Sequence, residues 1–290
     1  MIGVFDSGFG GLTVLRSLLD RLPNYDYMYL GDSARVPYGI RSAEAVYEFT
    51  REAMHFLFAQ GCPLVLLACN TASARALRTL QQRELPRAFP NRRVLGVVRP
   101  SVEALAGLPP GSIPGVTPPA LVSGTVAVLG TRGTIASQSY ALELAKLAPR
   151  LRLIQQACPM WVPLVESGEL TGAGTDYFLH KYLDPILTAD GQSGGPPSRI
   201  LLGCTHYPLL LPGIRAIVPP DVTVLPQGDI VADRLADWLL RHPEMETQLA
   251  RAGRREFLTT DDPDWFATQG SGILGESITA RKVRLPSLPA

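Results

Sequence analysis

The sequence predicts an α/β protein made of two related doubly wound units with largely parallel sheets. Three observations carry this. Short β-rich apolar runs alternate with segments of helical period along the 290 residues, the rhythm of parallel strands joined by covering helices. Runs such as PLVLLA (63–68) and RILLG (199–203) are apolar almost throughout, as strands buried on both faces must be. The chain also repeats itself. GVFDSGFGG (3–11) and AVLGTRGT (127–134) are each an apolar strand entering a glycine-rich turn with a hydroxyl residue, and LLACNT (66–71) and LLGCTH (201–206) are each an apolar strand ending in cysteine and polar groups. The separations are similar, 63 residues from Asp6 to Cys69 and 74 from Gly130 to Cys204.

In chain order the reading begins with a core strand at 2–5, closed by Asp6 and the glycine turn, then a helix over 12–22. Strand 26–30, helix 42–60, strand 63–68, helix 72–82 and strand 94–98 complete the first half. The second half reads as strand 126–129, helix 134–147, strand 151–155, helix 175–187, strand 199–203, strand 222–225 and helix 229–241. GLPPGSIPGVTPP (107–119) and ADGQSGGPPS (189–198) are too rich in proline and glycine for helix or central strand and read as loops. A domain boundary is placed near 98–100. At ~150 residues per domain, the length agrees with two domains.

Composition narrows the function classes. Hydrophobic residues make up 46% and the formal net charge is +1, which permits a sizeable core and offers no field for nucleic acid. Four cysteines are too sparse for a disulfide scaffold, none has C-x-x-C spacing, and four scattered histidines make no zinc signature, so no metal is expected. No apolar run approaches the ~18 residues of a membrane span, and the start of the chain has neither the basic nor the apolar region of a signal peptide. The expectation is a soluble cytoplasmic protein with no membrane partner.

Cys62 and Cys158 read as small buried hydrophobes, the usual fate of a free thiol. Cys69 and Cys204 differ, since each ends an apolar strand just before a polar turn. The carboxyl edge of a parallel sheet is where open α/β folds bind ligands, and a helix N-terminus after Cys69 is expected to lower its thiol pKa. Asp6 alone reads as a helix cap. GFGG (8–11) lacks the third glycine of a dinucleotide fingerprint, Thr13 standing in its place. PYG (37–39) reads as a proline-initiated turn. Asn70-Thr71 and Thr205-His206 put amide, hydroxyl and imidazole donors beside the two cysteines, suited to a small zwitterion with several oxygens.

Two facing cysteines make the minimal machine for inverting a stereocentre: a thiolate removes a proton from one face of a carbon and a thiol returns one to the other. The rival route, pyridoxal phosphate on a Schiff-base lysine, has little to stand on. The three lysines, Lys146, Lys181 and Lys282, lie in helical patterns or near the C-terminus. No cofactor is therefore expected.

The segments DSGFGGLTV (6–14), VPYGIRS (36–42), ACNTASA (68–74), GTRGT (130–134), CPMWVPLVESGE (158–169) and GCTHYPLL (203–210) closely resemble the glutamate racemase family, across about residues 2–270. The related aspartate racemases typically carry Glu where this chain has His206, and usually lack the DSG start. The resemblance implies an active site at the interface of two domains, 1–98 plus 210–290 and 99–209, with the chain returning near 206–212. It implies that Cys69 deprotonates D-glutamate with help from Asp6. Cys204 would deprotonate L-glutamate with help from His206, oriented by Glu166. Asp6, Ser7, Tyr38, Gly39, Asn70, Thr71, Thr131, Thr134, Thr205 and His206 would line the substrate pocket. It further implies a homodimer and a role in supplying D-glutamate for peptidoglycan. Two features depart from the family pattern: a long 107–123 loop and Arg99, where relatives often carry an acidic residue. Some relatives need a peptidoglycan precursor as activator through an N-terminal extension; none is expected here. A two-domain dicarboxylate-binding protein without chemistry is the non-enzyme alternative, but would not need a cysteine in each half.

Overall fold

The computed structural model describes residues 1–116, 123–188 and 195–288. Its strands are β1 (Ile2–Asp6), β2 (Tyr27–Gly31), β3 (Leu64–Leu67), β4 (Arg93–Gly96), β5 (Gly124–Gly130), β6 (Leu151–Ala157), β7 (Arg199–Gly203), β8 (Thr223–Leu225), β9 (Arg255–Thr259) and β10 (Ala280–Lys282). They form two parallel sheets, ordered β10-β9-β2-β1-β3-β4 and β6-β5-β7-β8.

The order β2-β1-β3-β4 in the first sheet is the order β6-β5-β7-β8 in the second. The repeat seen in the sequence is thus a repeat of topology, with Cys69 following β3 as Cys204 follows β7. In each half the strand order reverses between the first strand and its neighbours, which leaves a crevice at the carboxyl ends of β1 and β3, and of β5 and β7.

Strand alternation sorts the core. Ile2, Val4, Leu64 and Leu66 of the first sheet and Ala127, Leu129, Ile200 and Leu202 of the second belong to one continuous apolar cluster. Phe5, Leu30, Val65 and Leu67 face the opposite way, onto helix Ala43–Ala59 through Met54 and Leu57. Val126, Val128 and Leu201 face helices Val98–Leu105 and Ser139–Leu147. Every strand of the two inner pairs is therefore covered on both faces.

Several boundaries differ from the sequence reading. The return near 206–212, which would give 210–290 to the first unit, is corrected. Helix Leu211–Ile217 packs on helix Ala173–Leu187, and β8 pairs with β7. The chain therefore stays with the second sheet to Leu225 and crosses back at Pro226, into helix Gln227–Arg241, which packs on helix Leu12–Arg21. The physical reason is the repeat itself: as β3 is followed by helix and β4, so β7 is followed by helix and β8. The helix read over 134–147 is interrupted at Gln138, whose φ of 56° is left-handed, leaving Arg132–Ala136 and Ser139–Leu147. Thr131 caps the first of these, its side chain accepting from the Thr134 N–H. β9, β10 and helix Pro263–Leu274 extend the first sheet beyond β2, an edge that periodicity left unassigned.

Parts of the expected loops, residues 117–122 and 189–194, lie outside the described residues. Arg99 is tied down: its guanidinium donates to Glu103 (3.1 Å), Glu143 (3.0 Å) and the Ser112 carbonyl (2.5 Å). Among the described residues no helix is long and apolar enough to cross a membrane.

Candidate active site

The polar turns after β1, β3, β5 and β7 converge on a cavity of about 120 Å³, well below the ~300–1,000 Å³ typical of pockets for drug-sized ligands. Ser7, Tyr38, Gly39, Cys69, Asn70, Thr71, Thr131, Cys204, Thr205 and His206 all line it. Asp6, Thr134 and Glu166 do not; they stand behind the lining and hold it. Arg132 also lines the cavity and was missed in the sequence. Its signal was its place inside GTRGT, at the start of a helix that follows a ligand-facing strand end.

Both pocket cysteines are nearly enclosed, Cys69 at 5% and Cys204 at 6% exposure. Cys69 sits at the N-cap of helix Asn70–Arg75, and its thiol donates to the Ser7 hydroxyl (3.7 Å). The thiol pKa is nevertheless pushed up to about 12, by burial first and by the Asp6 carboxylate second, with the Ala72 N–H and Ser7 opposing. The expected lowering by the helix N-terminus is thus outweighed: a six-residue helix cannot offset removal of a thiolate from water.

Asp6 is fully buried. One carboxylate oxygen accepts the N–H groups of Gly8 (3.2 Å) and Gly11 (3.1 Å), closing the turn before helix Leu12–Arg21. The other accepts the Thr205 hydroxyl (3.3 Å) from the opposite half. Burial raises its pKa, while the nearby His206 imidazole and the two turn N–H groups pull it down. The helix-cap reading of Asp6 is corrected, since Gly11 is the N-cap of helix Leu12–Arg21 and has no side-chain cap bond; Asp6 instead closes the turn before it and links to the second half.

On the second side, the His206 Nδ1 lies 4.0 Å from the Cys204 sulfur, and its Nε2 lies 2.5 Å from Glu166 Oε1. Burial disfavours the imidazolium, but hydrogen bonds to Cys204 and Glu166, with their charges, win and raise its pKa to about 10. The ring also packs against Phe9, centroids 5.3 Å apart.

Between the halves, the hydroxyls of Thr71, Thr131 and Thr134 cluster at 2.9 to 3.4 Å. A methyl on Gly10 would fall 2.4 Å from His206 Nδ1, and one on Gly39 would fall 2.6 Å from the Thr131 Cβ. Both positions require glycine because the two halves touch there. The Tyr38 hydroxyl is turned from the cavity, donating to the buried Asp32 carboxylate (2.5 Å). Cys62 and Cys158 line no part of this cavity; burial raises Cys62 to about 11.

No family model matches the chain. Whole-chain relatives are clear. The chain is 40% identical to a glutamate racemase of Ruegeria pomeroyi over 96% of this chain and 98% of that one. It is 40% identical to one of Paracoccus denitrificans over 96% and 97%. Among solved structures, a glutamate racemase isoform of Bacillus anthracis superposes with a TM-score of 0.83 at 32% identity, covering 99% of this chain and 98% of the other. A glutamate racemase of Francisella tularensis in complex with D-glutamate gives 0.82 at 30%, with the same coverage. An amino-acid racemase by descent and by fold, the chain belongs to the glutamate racemase family.

Proposed function

We propose that this protein interconverts L- and D-glutamate without a cofactor, by proton transfer between two cysteines across the α-carbon. The observation that carries this reading is the placement of Cys69 and Cys204 at equivalent strand ends of the two halves, both lining one small cavity. In the D-to-L direction the Cys69 thiolate takes the α-proton and the Cα–H electron pair stays on carbon. The Cys204 thiol then gives its proton to the opposite face and becomes the thiolate. The L-to-D direction is the reverse.

Enclosure serves this chemistry, since an unsolvated thiolate is a stronger base toward a weakly acidic carbon acid. Asp6 assists Cys69, and His206, oriented by Glu166, assists Cys204. Ser7, Asn70, Thr71, Thr131 and Thr205 offer hydroxyl and amide donors to the substrate carboxylates. None of the three lysines lines the cavity, which supports a route without a Schiff base.

The product, D-glutamate, would serve peptidoglycan synthesis in the cytoplasm. The family resemblance further implies a homodimer, which light scattering tests, and no nucleic-acid partner. The decisive experiment incubates purified protein, with no additive, with L-glutamate in D₂O. Circular dichroism decaying to zero, with deuterium entering the α-carbon, is expected. Deuterium-free glutamate would leave only a binding protein, and activity on aspartate instead of glutamate would move the substrate.

A further inference from the structure

Behind the cavity wall, Asn70 joins a closed set of buried polar side chains. Asn70, Ser101, Tyr140 and Gln227 are each at most 2% exposed. They come from four separate elements: helix Asn70–Arg75, helix Val98–Leu105, helix Ser139–Leu147 and the first residue of helix Gln227–Arg241, just past the return crossing at Pro226. Asn70 and Gln227 pair amide to amide. Asn70 Nδ2 donates to Gln227 Oε1 (2.5 Å), and Gln227 Nε2 donates back to Asn70 Oδ1 (3.2 Å). The Tyr140 hydroxyl donates to Asn70 Oδ1 (2.6 Å), while Gln227 Nε2 also reaches Tyr140 (3.0 Å) and Ser101 Oγ (2.6 Å).

The hydrogen count orients every group. The single hydroxyl proton of Ser101 goes to the Val97 carbonyl (2.7 Å). Ser101 must therefore accept from Gln227, which fixes the Gln227 amide with its nitrogen toward Ser101 and its oxygen toward Asn70. Asn70 must then turn its nitrogen to that oxygen. Asn70 Oδ1 accepts the Tyr140 proton and faces the second Gln227 N–H, which it shares with the Tyr140 oxygen, and one of the two Asn70 N–H groups is used. With its oxygen held toward Tyr140 and Gln227, what Asn70 retains for the cavity it lines is its second N–H donor.

We infer that Gln227 and Tyr140, anchored through Ser101, are positioning residues that lock the Asn70 amide in its donor-only orientation, so that this wall of the cavity takes a carboxylate oxygen. The inference rests on the reading of the cavity as a glutamate site. A donor that cannot flip carries no reorganisation cost when an anion arrives, and a flipped amide would present its oxygen to the carboxylate. Gln227 lies at the return crossing and Tyr140 in the second unit, so the orientation of a donor in the first half depends on side chains of the second.

The test compares KM and kcat for both enantiomers in wild type, Tyr140→Phe, Gln227→Met and Asn70→Ala, and in Asn70→Ala combined with each of the other two. A hydrogen bond to a charged ligand that is lost in ground and transition states alike raises KM and spares kcat. Tyr140→Phe and Gln227→Met should each raise KM for D- and L-glutamate by about tenfold, with kcat within about twofold. In the Asn70→Ala background neither should raise KM further, because residues acting through one partner are not additive. Where turnover is too slow, calorimetric titration with D-glutamate gives the same comparison. Unchanged KM in both single variants overturns the inference, as does the same tenfold rise in the Asn70→Ala background, which a general loosening of the fold would produce. A wild-type protein that leaves glutamate untouched overturns the functional reading itself, before any variant is compared.

Discussion

His206 Nε2 stands 2.5 Å from Glu166 Oε1, so the imidazole beside Cys204 is held from behind by a carboxylate. A hydrogen-bonded carboxylate fixes the ring and favours its charged form. Glu166→Gln keeps the shape and removes the charge. It should lower the His206 pKa from about 10, read by NMR titration of the imidazole, and slow turnover. An unmoved His206 titration would show that Glu166 does not set the state of the ring.

Replacing either Cys69 or Cys204 with Ala should remove racemisation by at least ~10²-fold, the lower range for loss of an acid–base group. Cys62→Ala and Cys158→Ala should leave kcat near wild type, since neither thiol lines the cavity. Chiral chromatography of the product gives the rates. Near-normal turnover in Cys69→Ala would rule out the two-base mechanism.

The equilibrium constant of racemisation is one by symmetry, so kcat/KM is the same in both directions for every variant. Isotope effects can still differ. His206→Asn, by slowing proton transfer at Cys204, should raise the effect on kcat/KM with α-deuterated L-glutamate more than with the D form. Asp6→Asn should do the reverse, and both variants should be ~10²–10⁴-fold slower. The Thr205 hydroxyl on Asp6 makes this a sharp test. Equal isotope effects in Asp6→Asn would mean that Asp6 serves both cysteines through that link.

The charge on His206 also couples to stability. Its pKa is raised from 6.5 to about 10 in the folded protein. Between these values the native state holds a proton that the unfolded chain has released, so stability falls as pH rises. The contribution is complete below pH 6.5 and gone once pH passes about 10. The Tm advantage of wild type over His206→Asn should therefore shrink across that window in calorimetric scans. An advantage that is flat or grows from pH 6.5 to 10 would contradict a charged His206.

Gly39→Ala places a methyl 2.6 Å from Thr131 Cβ, across the contact of the two halves. Overpacking of this kind costs about 1–3 kcal/mol. The variant should melt earlier and bind glutamate more weakly, because Gly39 and Thr131 both line the cavity. Gly174→Ala, in a helix with open space around it, is the control and should match or exceed wild-type stability. Equal Tm for the two variants would mean that the halves do not press together at Gly39.

The sequence by itself determined the parts whose cause is local. An apolar run entering a polar turn marks a strand end, so Cys69 and Cys204 were legible as a pair. So were Asn70, Thr71, Thr205 and His206 beside them, and the repeat foretold two related halves, whose common strand order the structure then gave. Asp6 read as a helix cap, near the mark because its partners are local, but it accepts from Gly8 and Gly11, two and five residues away, and Gly11 is the cap. Tertiary structure decided whatever depends on partners far along the chain. Gln227 meets Asn70 across 157 residues, and nothing in QGD (227–229) marks that glutamine. The return at Pro226 depends on whether β8 pairs with β7, an edge choice that period-two patterning does not encode. The thiol of Cys69 looked acidified from its helix N-terminus; burial reversed the sign, because desolvation is a property of everything packed around the sulfur and not of its neighbours in sequence.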